Sequence, residues 1–140
     1  MQQFVVDANI LISILISGKS SYKPILSFLD FFTPDFALEE IEKYRPVIFE
    51  KSKLKADELR QFAFFVFNEV TVVPNFVISD EAIVKATELV QNIDIKDISY
   101  TALALELDFV LLTRNKKLVQ GLKRKGFRMV MLFEDFLKTL

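Results

Sequence analysis

The sequence predicts an α/β domain built on a mostly parallel sheet. Apolar runs at residues 4–6, 70–73, 109–112 and 129–132 have strand rather than helix length. Stretches with i, i+3, i+4, i+7 apolar spacing lie between them, and in the second half the joints are short. Such alternation favours parallel pairing, because a strand and its parallel neighbour are joined through a helical crossover. Residues 1–140 are read as a single domain, large enough to bury a full core.

Taken in order, residues 4–6 form a buried strand and residues 9–16 a short helix ending near Gly18. Gly18-Lys19-Ser20-Ser21 is a polar joint that closes one helix and opens the next. Pro24 falls in the first turn of a second helix, where its missing N–H costs little, and Ile25, Leu26, Phe28 and Leu29 follow. Residues 31–34 suit a short strand or a loop. From Asp35 the spacing is helical through Phe36, Leu38, Ile41, Tyr44 and Ile48, with Pro46 expected to kink or divide the helix.

Residues 54–69 make a longer helix whose core face is Leu59, Phe62, Ala63 and Val66. Phe64, Phe65 and Phe67 lie off that stripe, so this helix is either deeply buried or part of an interface, with a homodimer its natural use. A strand over 70–73 stops at Pro74. Ser79 N-caps a helix through Leu89 with Ala82 at N3. Helices over 97–107 and 115–125, the latter closed by Gly126, alternate with strands over 109–112 and 129–132. Residues 133–137 add a last helical turn or two.

Composition excludes much chemistry. The chain has no histidine, which removes Ser-His-Asp catalysis, histidine acid–base cleavage and the usual zinc sites. It has no cysteine, hence no disulfide framework and no thiol chemistry. With three glycines, neither a P-loop nor a dinucleotide fingerprint is present. The longest uncharged run, residues 8–18, is short of the roughly 20 apolar residues a bilayer needs. The start lacks a basic region, so no secretory signal is expected and a cytoplasmic location is the default. Net charge is −1, which gives no general attraction to nucleic acid or membrane. Carboxylates with a hard metal become the leading option for any enzyme.

Four places concentrate polar chemistry: Asp7, the pair Glu39-Glu40, Asp94 with Asp97, and Thr113-Arg114-Asn115. Each alone has a structural use. Asp7 suits an N-cap, Glu39 and Glu40 a solvated helix face, and Asp94 and Asp97 a helix start. Asp7, however, directly follows a strand, and open α/β sheets hold their ligands outside the carboxyl ends of strands.

The order of these segments is more specific than any one of them. Val-Val-Asp-Ala-Asn-Ile-Leu-Ile at 5–12 comes first, then Pro34 followed by Glu39-Glu40-Ile41. Asp94 and Asp97 then precede Ala-Leu-Ala-Leu-Glu-Leu at 102–107, and Leu-Leu-Thr-Arg-Asn-Lys-Lys-Leu occupies 111–118. Over essentially its whole length the chain resembles the PIN domain, the metal-dependent nuclease family that includes VapC-type toxins. The resemblance implies a three-layer α/β/α fold around a central sheet. Asp7 matches the first family acid, with Asn9 beside it. Glu40 fits the second better than Glu39, with a shift by one left open. Asp97 matches the third, Asp94 often accompanies it, and Thr113 matches the hydroxyl of a Thr-x-Asp element. There the chain departs from the pattern, with Asn115 where Asp is expected. Asn caps a helix as well as Asp. Its amide oxygen is able to ligate a cation or orient a water without the charge, so metal affinity should fall while geometry survives.

Converging carboxylates repel one another and invite Mg²⁺ or Mn²⁺. Such an ion lowers the pKa of water, polarises a phosphoryl oxygen and stabilises a leaving alkoxide, so phosphodiester hydrolysis is the natural reaction. The resemblance implies an endoribonuclease with Asp7, Glu40 and Asp97 as catalytic and metal-holding acids. Asp94 would be a further metal group, with Asn9, Thr113 and Asn115 in support. Residues 114–128 hold seven of the eighteen cations and no acid, and Arg114, Lys116 and Lys117 are RNA-backbone candidates. The family also implies homodimerisation and, often, an antitoxin inserted into the cleft. Two functions follow: this nuclease, or a PIN-like module, weakened at Asn115, that holds RNA or a protein partner. A metal-free carboxylate-pair hydrolase is a distant third.

Overall fold

The computed structural model describes residues 2–140. Five strands, β1 (Gln3–Val6), β2 (Asp30–Pro34), β3 (Val70–Val73), β4 (Val110–Thr113) and β5 (Val130–Leu132), form one sheet. Their spatial order is β3-β2-β1-β4-β5 and every pairing is parallel. The chain runs outward from β1 through β2 to β3, then crosses back to place β4 on the other side of β1. The strand order therefore switches between β1 and β4, the position at which open α/β sheets form a crevice.

Nine helices among the described residues flank the sheet. These are α1 (Ala8–Ser17), α2 (Tyr22–Phe28), α3 (Phe36–Lys43), α4 (Arg45–Lys51), α5 (Ala56–Glu69), α6 (Asp80–Val90), α7 (Ile98–Leu107), α8 (Lys116–Arg124) and α9 (Phe133–Lys138). Helix α7 lies against β1, β2 and β4, and α6 packs on α7. Helix α1 packs on α3, α4 and α5, while α9 closes over β4 and β5. Phe136 of α9 meets Phe4 and Phe31 at ring separations of 4.8 and 6.2 Å, which binds the last helix to the two central strands. Truncating such a buried ring to alanine costs about 3–5 kcal/mol.

Local chemistry sets the element ends. Gly18 ends α1 in the left-handed conformation, φ 61°, and a Cβ there would meet Leu54 at 2.6 Å, so glycine is required twice over. Pro46 divides the helical stretch after Asp35 as expected: α3 stops at Lys43, and Pro46 sits in the first turn of α4. Residues 31–34, open between strand and loop, belong to a strand paired on both sides. Ser79 caps α6 through the Ala82 N–H at 3.2 Å.

Several boundaries differ from the sequence reading. Helix α5 starts at Ala56, where Glu58 accepts from the Lys55 N–H at 3.1 Å. Asp97 ends a 3-10 turn, Ile95–Asp97, instead of opening the helix itself. Phe109 precedes β4. Deep burial of α5 fails at Phe64, which is 78% exposed, while Phe65 and Phe67 are half-buried. Among the described residues no helix is long and apolar enough to cross a membrane.

Candidate active site

Strand register builds the centre of the site. Val6 of β1 lies opposite Leu112 of β4, so the next residues, Asp7 and Thr113, stand side by side at the switch point. The Thr113 hydroxyl donates to Asp7 Oδ2 at 2.8 Å, and the Ile10 N–H donates to Asp7 Oδ1 at 3.0 Å. Asp7 is thus both the N-cap of α1 and a buried carboxylate at the crevice. From the other neighbour, the Thr33 hydroxyl donates to the Val6 carbonyl at 2.7 Å. Both flanking strands fix the end of β1.

Asp7, Asn9, Glu40, Asp94, Asp97 and Asn115 line one small cleft of about 60 Å³. Helix α3 brings Glu40; its neighbour Glu39 is exposed and does not line the cleft, which distinguishes the pair. Asp94 caps the 3-10 turn through the Lys96 N–H at 3.0 Å. That turn delivers Asp97, whose Oδ2 is buried with no hydrogen-bond partner among the described residues. Two further lining residues, Lys96 and Tyr100, were not anticipated as site residues. Tyr100 donates its hydroxyl to Glu40 Oε1. Its position three residues after Asp97, on the same helix face, was the available signal.

Burial and mutual repulsion govern the acids. Burial pushes the Asp7 carboxyl up to about 6, against the hydrogen bonds from Thr113 and Ile10 that favour its ionised form. Glu40 raises it further, and Arg114 lowers it. Asp97 is pushed up to about 7, first by burial and then by Asp7, Asp94 and Glu40, with Lys96 opposing. Burial and the Glu40 carboxylate hold the Tyr100 hydroxyl far above its ordinary range, so it remains a donor.

Asn115 caps the helix that follows it, as the sequence leads one to expect. Its Oδ1 accepts the Leu118 N–H at 3.2 Å and caps α8. Only an acceptor can take that place; the oxygen keeps one further lone pair, and the other side-chain atom, Nδ2, is a donor that cannot ligate a cation. The basic stretch also divides. Arg114 donates to the Ser13 hydroxyl, and with Lys116 it lines a separate groove beside the cleft. Lys117 is exposed and lines neither the cleft nor that groove. Lys125 is engaged elsewhere, donating to the carbonyls of Glu88 and Leu89 at 3.2 and 2.8 Å near the end of α6.

An oxygen-only donor set that includes the unpartnered Asp97 Oδ2 suits a hard divalent cation. Among the described residues no group of three acids stands ready to hold an ion by itself. Mg²⁺ does not require that, since it keeps several of its waters.

An all-parallel sheet with acids gathered at its switch point defines the class. The PIN domain family model matches residues 5–133, and the chain belongs to that family. Among proteins of curated function, none matches it in sequence. Solved structures share the fold. VapBC2 from Rickettsia felis, bound to a DNA fragment from its promoter, matches with a TM-score of 0.64 at 15% identity. That match covers 94% of this chain and 99% of the other. PAE2754 from Pyrobaculum aerophilum gives 0.66 at 14% identity, covering 99% and 88%. A toxin–antitoxin complex from Klebsiella pneumoniae gives 0.58 at 19%, covering 91% and 94%.

Proposed function

We propose that this PIN domain is an Mg²⁺- or Mn²⁺-dependent endoribonuclease that hydrolyses RNA phosphodiester bonds. Asp7, Glu40 and Asp97 are its catalytic and metal-holding acids, and Asp94 is a further metal group. The observation that carries this reading is Asp97 Oδ2, a buried carboxylate oxygen with no protein partner in a cleft shared with three other acids.

When bound there, a divalent ion supplies charge neutralisation for the acids, activation of water and stabilisation of the leaving oxygen. The chain's own residues supply position. Thr113 fixes one Asp7 oxygen and the Ile10 N–H the other, so the carboxylate enters the cleft in one orientation. Tyr100, always protonated, holds Glu40 at the rim. Lys96 offsets the acids, and the Asn115 amide offers an N–H to a phosphate oxygen.

A toxin role fits as the setting, because two of the similar structures are toxin–antitoxin assemblies. A protein antitoxin is then a partner, and the exposed Phe64 on α5 supports a homodimer. A second reading rests on Asn115. Its oxygen is shared with α8 and its other atom is a donor, so Asn115 brings no charge where the family pattern has its fourth acid, which favours a weakened module that holds RNA or a protein.

Cleavage of mixed RNA by wild type, Asp7→Asn and Asn115→Asp, in Mg²⁺, Mn²⁺ or EDTA, separates the two. Metal-dependent cutting lost in Asp7→Asn supports the nuclease. An inactive wild type with an active Asn115→Asp would support the module.

A further inference from the structure

We infer that the groove beside the acid cleft is the seat of the single-stranded RNA that flanks the scissile phosphate, with Tyr22 as a base-stacking platform. This rests on the nuclease reading and extends it to a defined strand path. The cleft, at about 60 Å³, admits little more than a phosphate and its ion, so a polymer needs a second surface. The groove, at about 690 Å³, lies within the roughly 300–1,000 Å³ of ligand sites.

Its chemistry is opposite to that of the cleft. Lys53, Arg114 and Lys116 line it against one acid, Glu134, whereas the cleft sets Asp7, Glu40, Asp94 and Asp97 against Lys96 alone. The two are neighbours: the groove residues Arg114 and Lys116 flank the cleft residue Asn115 in the chain, and the Arg114 charge acts on Asp7. Arg114 is held in place by the Ser13 hydroxyl, which also lines the groove. Tyr22 is half-buried and stacks on the buried Phe133, with centroids 6.4 Å apart and planes within 20°. A braced aromatic beside spaced cations is the arrangement that binds single strands, since each unpaired base offers a π-face. Duplex RNA keeps its bases stacked inside and gains nothing from Tyr22. Lys53, far away in sequence, is recruited by the fold, while Lys117 is not.

The test is anisotropy of a short fluorescein-labelled oligouridylate on the full chain in EDTA, across a salt series. Lys53→Ala with Lys116→Ala should weaken binding roughly tenfold and lower the salt slope by about 1.4, two contacts at about 0.7 each. Tyr22→Leu keeps the bulk and should lose about fivefold or more with the slope unchanged, while Tyr22→Phe restores affinity. Lys85→Ala, on another face, serves as the control. Groove variants that bind as tightly as a wild type that still cuts RNA would overturn the strand path alone. A wild type that binds through the groove but never cuts would overturn the nuclease and leave the groove standing. A wild type that neither binds nor cuts would overturn both.

Discussion

The Thr113 hydroxyl and Asp7 Oδ2 are joined at 2.8 Å across 106 positions of sequence, at the point where the sheet reverses its strand order. This bond favours the ionised carboxylate and pulls against the burial that raises it. Thr113→Val removes that donor and also the acceptor of the Asn115 N–H. Stability should fall by about 1–3 kcal/mol, and the acidic limb of the pH–activity profile should move to higher pH. Denaturation and a pH series of cleavage rates check both.

The raised acids predict an unusual pH dependence without metal. Unfolded, both aspartates release protons near 3.8; folded, Asp7 holds its proton to about 6 and Asp97 to about 7. Between those limits the native state binds more protons, so this contribution is full below about pH 3.8 and is lost as pH rises through about 7. Thermal unfolding in EDTA should therefore show falling stability across this window. Mg²⁺ or Mn²⁺ should restore it only where the acids are ionised. Asp7→Asn should stabilise the metal-free protein by about 1–3 kcal/mol at pH 8 and blunt the metal effect.

Glu40 and Glu39 are adjacent in sequence but differ in exposure and partners. Glu40→Gln should cost about a hundredfold or more in activity, while Glu39→Gln should leave it unchanged. Tyr100→Phe, which frees Glu40, should cost about 10–100-fold in metal affinity or activity. Steady-state cleavage and Mn²⁺ titration calorimetry distinguish the three.

Asn115→Asp keeps the cap on α8, since either side chain accepts the Leu118 N–H, and turns the remaining atom from donor to acceptor. Metal affinity and cleavage should rise, and metal-free stability above pH 7 should fall because a fifth acid joins the cleft. Calorimetric titration beside thermal melts reads both directions in one variant.

The central sheet was legible because strand length and apolar spacing are local. Asp7 stood out because it follows a strand directly, and Pro46 because proline breaks helices wherever it falls. Whether Glu39 or Glu40 faces the cleft depends on the rotation of α3, which only tertiary packing sets. The Asn115 cap on α8 was legible because it is local, Asn being a favoured residue just before a helix. Tyr100 and Lys53 carried no motif, and their roles arise from elements brought together by the fold. The basic run looked uniform in sequence, yet Lys125 turns to α6 while Lys116 turns to the groove.

Cleavage of end-labelled RNA in Mn²⁺ by wild type and Asp7→Asn, with the new termini identified, reads the chemistry of the acid cleft itself. Hydrolysis at the acid cleft predicts cutting by wild type, products free of 2′,3′-cyclic phosphate, and no cutting by Asp7→Asn or in EDTA. Cutting that survives Asp7→Asn, or cyclic-phosphate ends, would contradict it.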